Sequence, residues 1–149
     1  MDFDIYHYTA CGLDNVMLVD MPRLTGDDED DTIIIANVNG LHRCIARGVI
    51  AETGRLTPQE IKFLRTWAGR TQEEFATLMD VTRATVNRWE KGVTAIHRNA
   101  DLLIRQMVAE KLGETMSFST AAEKAASPVG EKAYRIDASD PKNYRPKVA

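Results

Sequence analysis

Between Thr82 and Gly92 the chain sets Arg83, Ala84, Thr85, Asn87, Arg88 and Lys91 on the outer face of a short helical stretch. These side chains are small, amide-bearing or cationic, and no Asp or Glu shares the face. Guanidinium groups suit bidentate hydrogen bonds to guanine edges, and amides suit adenine edges. Ala and a Thr methyl suit contact with a thymine methyl. An ordinary solvated helix face would mix both signs of charge. Gln72, at the start of the preceding stretch, adds an amide where the positive end of a helix would meet a phosphate. The chemistry implied is recognition of duplex DNA through its major groove.

Two helices must position that face. Thr71-Gln72-Glu73-Glu74 is a capping box, in which the Thr hydroxyl and the Glu carboxylate satisfy each other's backbone N–H groups. Phe75, Ala76 and Met79 follow on its apolar side, with Ala76 small where a second helix would cross. Val81 is a lone apolar residue able to plug the turn. The next helix starts at Thr82, turns Val86 and Trp89 inward one turn apart, and stops at Gly92. The pattern predicts two short helices crossing steeply over a tight turn. Upstream, Thr57-Pro58-Gln59-Glu60 combines an N-cap, a first-turn proline and a capping-box Glu. That helix carries Ile61, Leu64, Trp67 and Ala68 on one face and ends at Gly69. Downstream, a helix of roughly residues 99–112 presents Leu102, Leu103, Gln106, Met107 and Val108 before Gly113.

The motif Thr71-Gln72-x-x-Phe75-Ala76, Val81-Thr82 and Val86-x-x-Trp89-Glu90-x-Gly92 resembles that of the XRE (Cro/repressor-like) helix-turn-helix regulators, over about residues 56–112. The resemblance implies a mainly α, lambda-repressor-like bundle that binds DNA. It implies a phosphate contact for Gln72 and base-reading positions for Arg83, Ala84, Asn87 and Arg88. Lys91 and the Thr94 region correspond to backbone contacts after the recognition helix. The DNA-binding set expected from residues and resemblance together is Thr71, Gln72, Thr82, Arg83, Ala84, Thr85, Asn87, Arg88, Lys91 and Thr94. Two positions depart from the family pattern. Asp80 stands where Gly is usual, although Asp tolerates the left-handed conformation better than most residues. The proline often found after the recognition helix is absent from Val93-Thr94-Ala95-Ile96.

The remaining chain divides by charge. Of the overall −3, residues 1–54 carry −7, residues 55–113 carry +3 and residues 114–149 carry +1. The first segment reads as a small α/β unit. Val16-Met17-Leu18-Val19 and Thr32-Ile33-Ile34-Ile35-Ala36 have strand composition, with the acidic run 27–31 in a hairpin loop between them. Asn39-Gly40 opens a helix bearing Leu41, Cys44, Ile45, Gly48 and Val49 at amphipathic spacing, and Gly54 stops it. The start of this unit, Tyr8-Thr9-x-Cys11-Gly12-Leu13-Asp14-Asn15-Val16 with Gly40-Leu41-His42-Arg43, resembles MqsA-type antitoxin regulators, but lacks the two Cys-x-x-Cys pairs through which that family binds zinc. Residues 114–149 hold three of the five prolines and all four serines. They read as an extended or disordered tail, with Ala133-Tyr134-Arg135-Ile136 as a candidate short strand.

Other chemistries find little footing. His7, Cys11, His42 and Cys44 could be counted as zinc ligands, but His42 and Cys44 sit two apart on a helix and point to different sides. No metal or cofactor is expected. The run 27–31 lacks the Gly and Glu that a calcium loop needs at its sixth and twelfth positions. Tyr6, His7 and Tyr8 read as a strand start. No Gly-x-Ser-x-Gly, Walker or His-Glu-x-x-His motif occurs, and no enzyme activity is expected. Two cysteines cannot build a disulfide framework, and no apolar run approaches the ~18 residues of a membrane span. With no basic segment leading into an apolar one at the start, a cytoplasmic location is expected. The expected function is a dimeric repressor on a palindromic operator. The alternative is an antitoxin whose acidic N-terminal unit neutralises a protein partner.

Overall fold

The computed structural model describes residues 5–21, 35–126 and 132–147. Two short strands, β1 (Ile5–Tyr8) and β2 (Val16–Val19), are followed by five helices: α1 (Val38–Ala51), α2 (Pro58–Trp67), α3 (Gln72–Met79), α4 (Arg83–Lys91) and α5 (Arg98–Lys111). A sixth helix, α6 (Phe118–Ala126), then leads to β3 (Tyr134–Asp137) and β4 (Arg145–Pro146). The four strands form one sheet in the order β1-β2-β3-β4. β2 pairs antiparallel with β1 and parallel with β3, in the register Val16 to Tyr134 and Leu18 to Ile136.

The helix-forming signals act where the sequence places them. Thr57 and Thr71 each close a reciprocal capping box, with Glu60 and Glu74 respectively. Thr82 caps α4 by accepting from the Thr85 N–H at 3.2 Å. Asp80 ends α3 in the left-handed conformation, φ 55° and ψ 45°, so the turn forms without glycine. Gly92 ends α4 at φ 73°. α1 begins one residue earlier than Asn39-Gly40 suggests, because Asn37 supplies the cap and accepts from the Gly40 N–H at 3.2 Å. A Cβ on Gly40 would lie 2.3 Å from Asn37 Nδ2 and push the capping side chain aside.

One continuous core joins sheet and helices. Val16, Leu18, Tyr134 and Ile136 from the sheet meet Leu41, Ile45 and Val49 of α1, and the same cluster runs on through Ile61, Leu64, Phe75, Val86 and Trp89. Cys44 is buried on the α1 stripe. Leu103, one of the apolar residues of α5, is 44% exposed. Its neighbours Leu102 and Ile104 take the buried positions, as the helical period requires once Asp101 and Arg105 also face inward.

Two readings of the flanks need correction. Val16–Val19 does not form a hairpin with 32–36. Both edges of β2 are occupied, by β1 and β3; Ile35 and Ala36 are irregular, and residues 32–34, like the acidic run 27–31, lie outside the described residues. Nor do the described residues of 114–149 form an extended tail. In α6, the small residues Ala121, Ala122 and Ala125 pack closely on Leu102 of α5. In β3, Tyr134 and Ile136 point into the core while Arg135 points out. A face of alanines and a four-residue strand bury enough surface only against a preformed partner, so the segment looks unstructured when read alone.

Candidate nucleic-acid interface

The helix-turn-helix is clamped from below. Val86 is fully buried and Trp89 is 2% exposed. The Trp89 ring meets the His97 ring edge-on at 5.6 Å, and His97 itself caps α5 through its side chain. Glu90 turns away from the outer face and accepts from Arg65 of α2 at 2.8 and 2.9 Å. This pair is largely buried, with 14% and 4% side-chain exposure. Two parallel charge-assisted hydrogen bonds fix orientation as well as distance. They lock α4 to α2 while removing the only acid of α4 from the solvent side.

The outer face of α4 is unevenly exposed. Arg83, Ala84, Arg88 and Lys91 are exposed, and Thr85 and Asn87 are half-buried. Arg88 and Lys91 sit in the last turn, where cations complement the helix dipole. Thr82 and Thr85 hydroxyls bond each other at 2.9 Å. Thr71 is exposed at the start of α3 and Thr94 is exposed beyond α4. After Gly92 the chain turns back without proline: the Val93 N–H donates to the Arg88 carbonyl at 2.9 Å, which closes the helix end.

Two contacts escaped the sequence reading. Asn87 Nδ2 donates to Gln72 Oε1 at 3.4 Å, so the phosphate-contact candidate and a base-reading candidate are one linked pair. Two amides fifteen positions apart carry no periodic signal. The Arg65–Glu90 pair was equally hidden, because opposite charges on separate helices match only once the crossing angle is known.

The zinc candidates are dispersed in role. His7 Nε2 donates to the Asp14 carbonyl, His42 Nε2 bonds the Tyr8 hydroxyl at 2.6 Å, and Cys44 is buried. Burial pushes the Cys11 and Cys44 thiols up and the His42 imidazole down from their ordinary values. Among the described residues no cluster of three or more His, Cys, Asp or Glu is placed to hold a metal ion. Among them, too, no helix is long and apolar enough to cross a membrane.

Residues 61–99 match the helix-turn-helix family model, a span that runs from α2 into the start of α5 and contains the whole outer face of α4. No curated protein and no solved structure matches the chain. With its capped helices, left-handed Asp80 turn and acid-free α4 face, this stretch folds as the helix-turn-helix that the family model describes.

Proposed function

We propose that the protein is a sequence-specific, dimeric transcriptional repressor that inserts α4 into the major groove. The observation that carries this reading is the sorting of charge on α4. Arg83, Arg88 and Lys91 share the exposed side, while Glu90 is neutralised by Arg65 behind it. Arg83, Ala84, Asn87 and Arg88 read bases. Gln72, Thr71, Thr82, Thr85, Lys91 and Thr94 position the helices against the phosphates. One helix of this length reads only a few base pairs, at about 1–3 kcal/mol of discrimination per bidentate contact. A symmetric dimer on half-sites about one helical turn apart multiplies that discrimination. Repression follows from steric exclusion of polymerase.

Selection from random duplexes, followed by affinity measurement, tests the proposal. Arg83→Ala and Arg88→Ala each cost about 1–3 kcal/mol on the selected site and relax preference at particular bases. Equal losses on selected and random DNA would remove both from base reading. A second reading rests on the −7 charge of residues 1–54, which suits a basic protein partner. Co-purification of a neighbouring gene's product through that segment, lost when the segment is neutralised, would favour an antitoxin.

A further inference from the structure

A cavity of about 990 Å³ opens between the β1–β2 loop, α1, α2 and the end of α5, at the edge of the core that Phe63 and Trp67 border. Its volume lies in the range of small-molecule sites. Three cations line it, Arg43, Lys62 and Lys111, and the acid in its lining, Glu90, is already spent on Arg65. Lys111 is held in place: its ammonium donates to the Trp67 carbonyl at 3.0 Å and stands 5.1 Å over the Trp67 ring. Arg43 donates to the Leu112 carbonyl. Both keep further N–H groups free to donate, since an ammonium has three and a guanidinium five. Lys62 makes no ion pair among the described residues. Phe63, packed edge-on to His42 at 6.0 Å, and Trp67 supply the aromatic part of the lining.

We infer that this cleft binds a small organic anion with a flat apolar body and acts as an effector site. Cations, two of them held by backbone carbonyls, beside aromatic side chains suit both halves of such a ligand, and a concave site encloses it better than it would an extended peptide. The effector role rests on the DNA-binding reading above. Gln59, Lys62, Phe63, Thr66 and Trp67 all belong to α2, and Glu90 ties α4 to that same helix. A ligand seated here bears on the helix that holds the reading face.

The probe is the fluorescent aromatic sulfonate 1-anilinonaphthalene-8-sulfonate, with salicylate as competitor, titrated against the full chain. One probe binds per chain and salicylate displaces it. Lys62→Glu weakens binding about tenfold or more, the loss expected for one charge-assisted contact. Lys142→Glu, an equal charge change at an exposed residue outside the cavity lining, leaves it unchanged. A neutral analogue, N-phenyl-1-naphthylamine, binds at least about tenfold more weakly. Probe binding insensitive to Lys62→Glu, or equally tight binding of the neutral analogue, overturns the site. In the second arm, saturating salicylate shifts affinity for the selected duplex at least about threefold in the wild type and not in Lys62→Glu. Normal DNA affinity with no such shift overturns the effector role. A chain that binds the probe but no duplex would sink the DNA-binding reading instead, and the first arm would still decide the site.

Discussion

Arg105 is fully buried, and its replacement by methionine measures how α5 is fastened to the rest of the molecule. Its Nε donates to Asp101 at 2.6 Å, one terminal nitrogen to the Ile50 and Glu52 carbonyls at 2.9 and 2.6 Å, and the other to the Gly54 carbonyl at 2.7 Å. The second oxygen of Asp101 accepts from the Leu56 N–H at 2.7 Å. Arg105→Met therefore leaves a buried carboxylate with one partner. It also strips the carbonyls of Ile50 and Glu52, whereas Gly54 keeps the Lys132 ammonium at 3.1 Å. Breaking a buried pair from one side costs about 3–5 kcal/mol. Against a total stability of about 5–15 kcal/mol that is a large fraction, and it lowers the melting temperature by on the order of 10 °C. Asp101→Leu costs a similar amount by stranding the guanidinium. In the double variant no charge is stranded, and what remains is the loss of hydrogen bonds to backbone groups, about 2–4 kcal/mol. Urea unfolding of the four proteins gives the coupling directly. If the two single losses simply add in the double variant, or if Arg105→Met costs less than about 1 kcal/mol, the pair is not the fastening described.

Gln72→Ala and Asn87→Ala should be non-additive in DNA affinity, with a coupling of about 0.5–3 kcal/mol; strict additivity would mean that their hydrogen bond has no role in presenting the face. Lys91→Ala should weaken binding on selected and random duplexes alike and reduce the slope of log affinity against log salt by about one phosphate equivalent, which titration at several salt concentrations checks. His42 titrates lower in the folded chain than its ordinary 6.5, chiefly because burial disfavours the imidazolium. Between the two values the unfolded chain binds more protons, so stability falls as pH drops through about 6.5 and levels off below the folded value. Thermal melts across that window should show the fall in the wild type and a flatter profile in His42→Gln.

The elements around the reading face were legible because each signal is local. A capping box spans four residues, a helix stripe repeats every turn, and a left-handed stop needs only one tolerant residue. Thr57, Thr71, Thr82 and Gly92 all act where their types suggest. What stayed hidden depends on distant partners. Glu60 was readable as a capping-box residue, yet it is 1% exposed and also accepts from the Lys132 ammonium at 2.8 Å and from the Tyr134 hydroxyl. Burial and this carboxylate push the Tyr134 phenol well above its ordinary range. Nothing near Glu60 in sequence announces those two residues. Trp67 likewise has core spacing, but it is only half-buried, and the last turn of α5 lays the Lys111 ammonium over its ring. Asp101 and Arg105 stand four apart on α5, a spacing that surface ion pairs share. Only the convergence of three carbonyls and one N–H makes the interior habitable for them.

The parallel pairing of β2 with β3 has a consequence for how the molecule is made. Asn15 and Lys132, bonded at 2.8 Å beside that pairing, are 117 positions apart, and both α3 and α4 lie in the stretch between them. A nascent chain can form the local capped helices as they emerge from the ribosome. It cannot finish the sheet, or give Glu60 its ammonium and phenol partners, until residues 132–137 follow. Closure of so long a loop makes this the late step of folding. Chains cut or interrupted before residue 132 lack the pairing of β3 on β2, so emergence of that strand becomes a checkpoint on the stability of the helices between them.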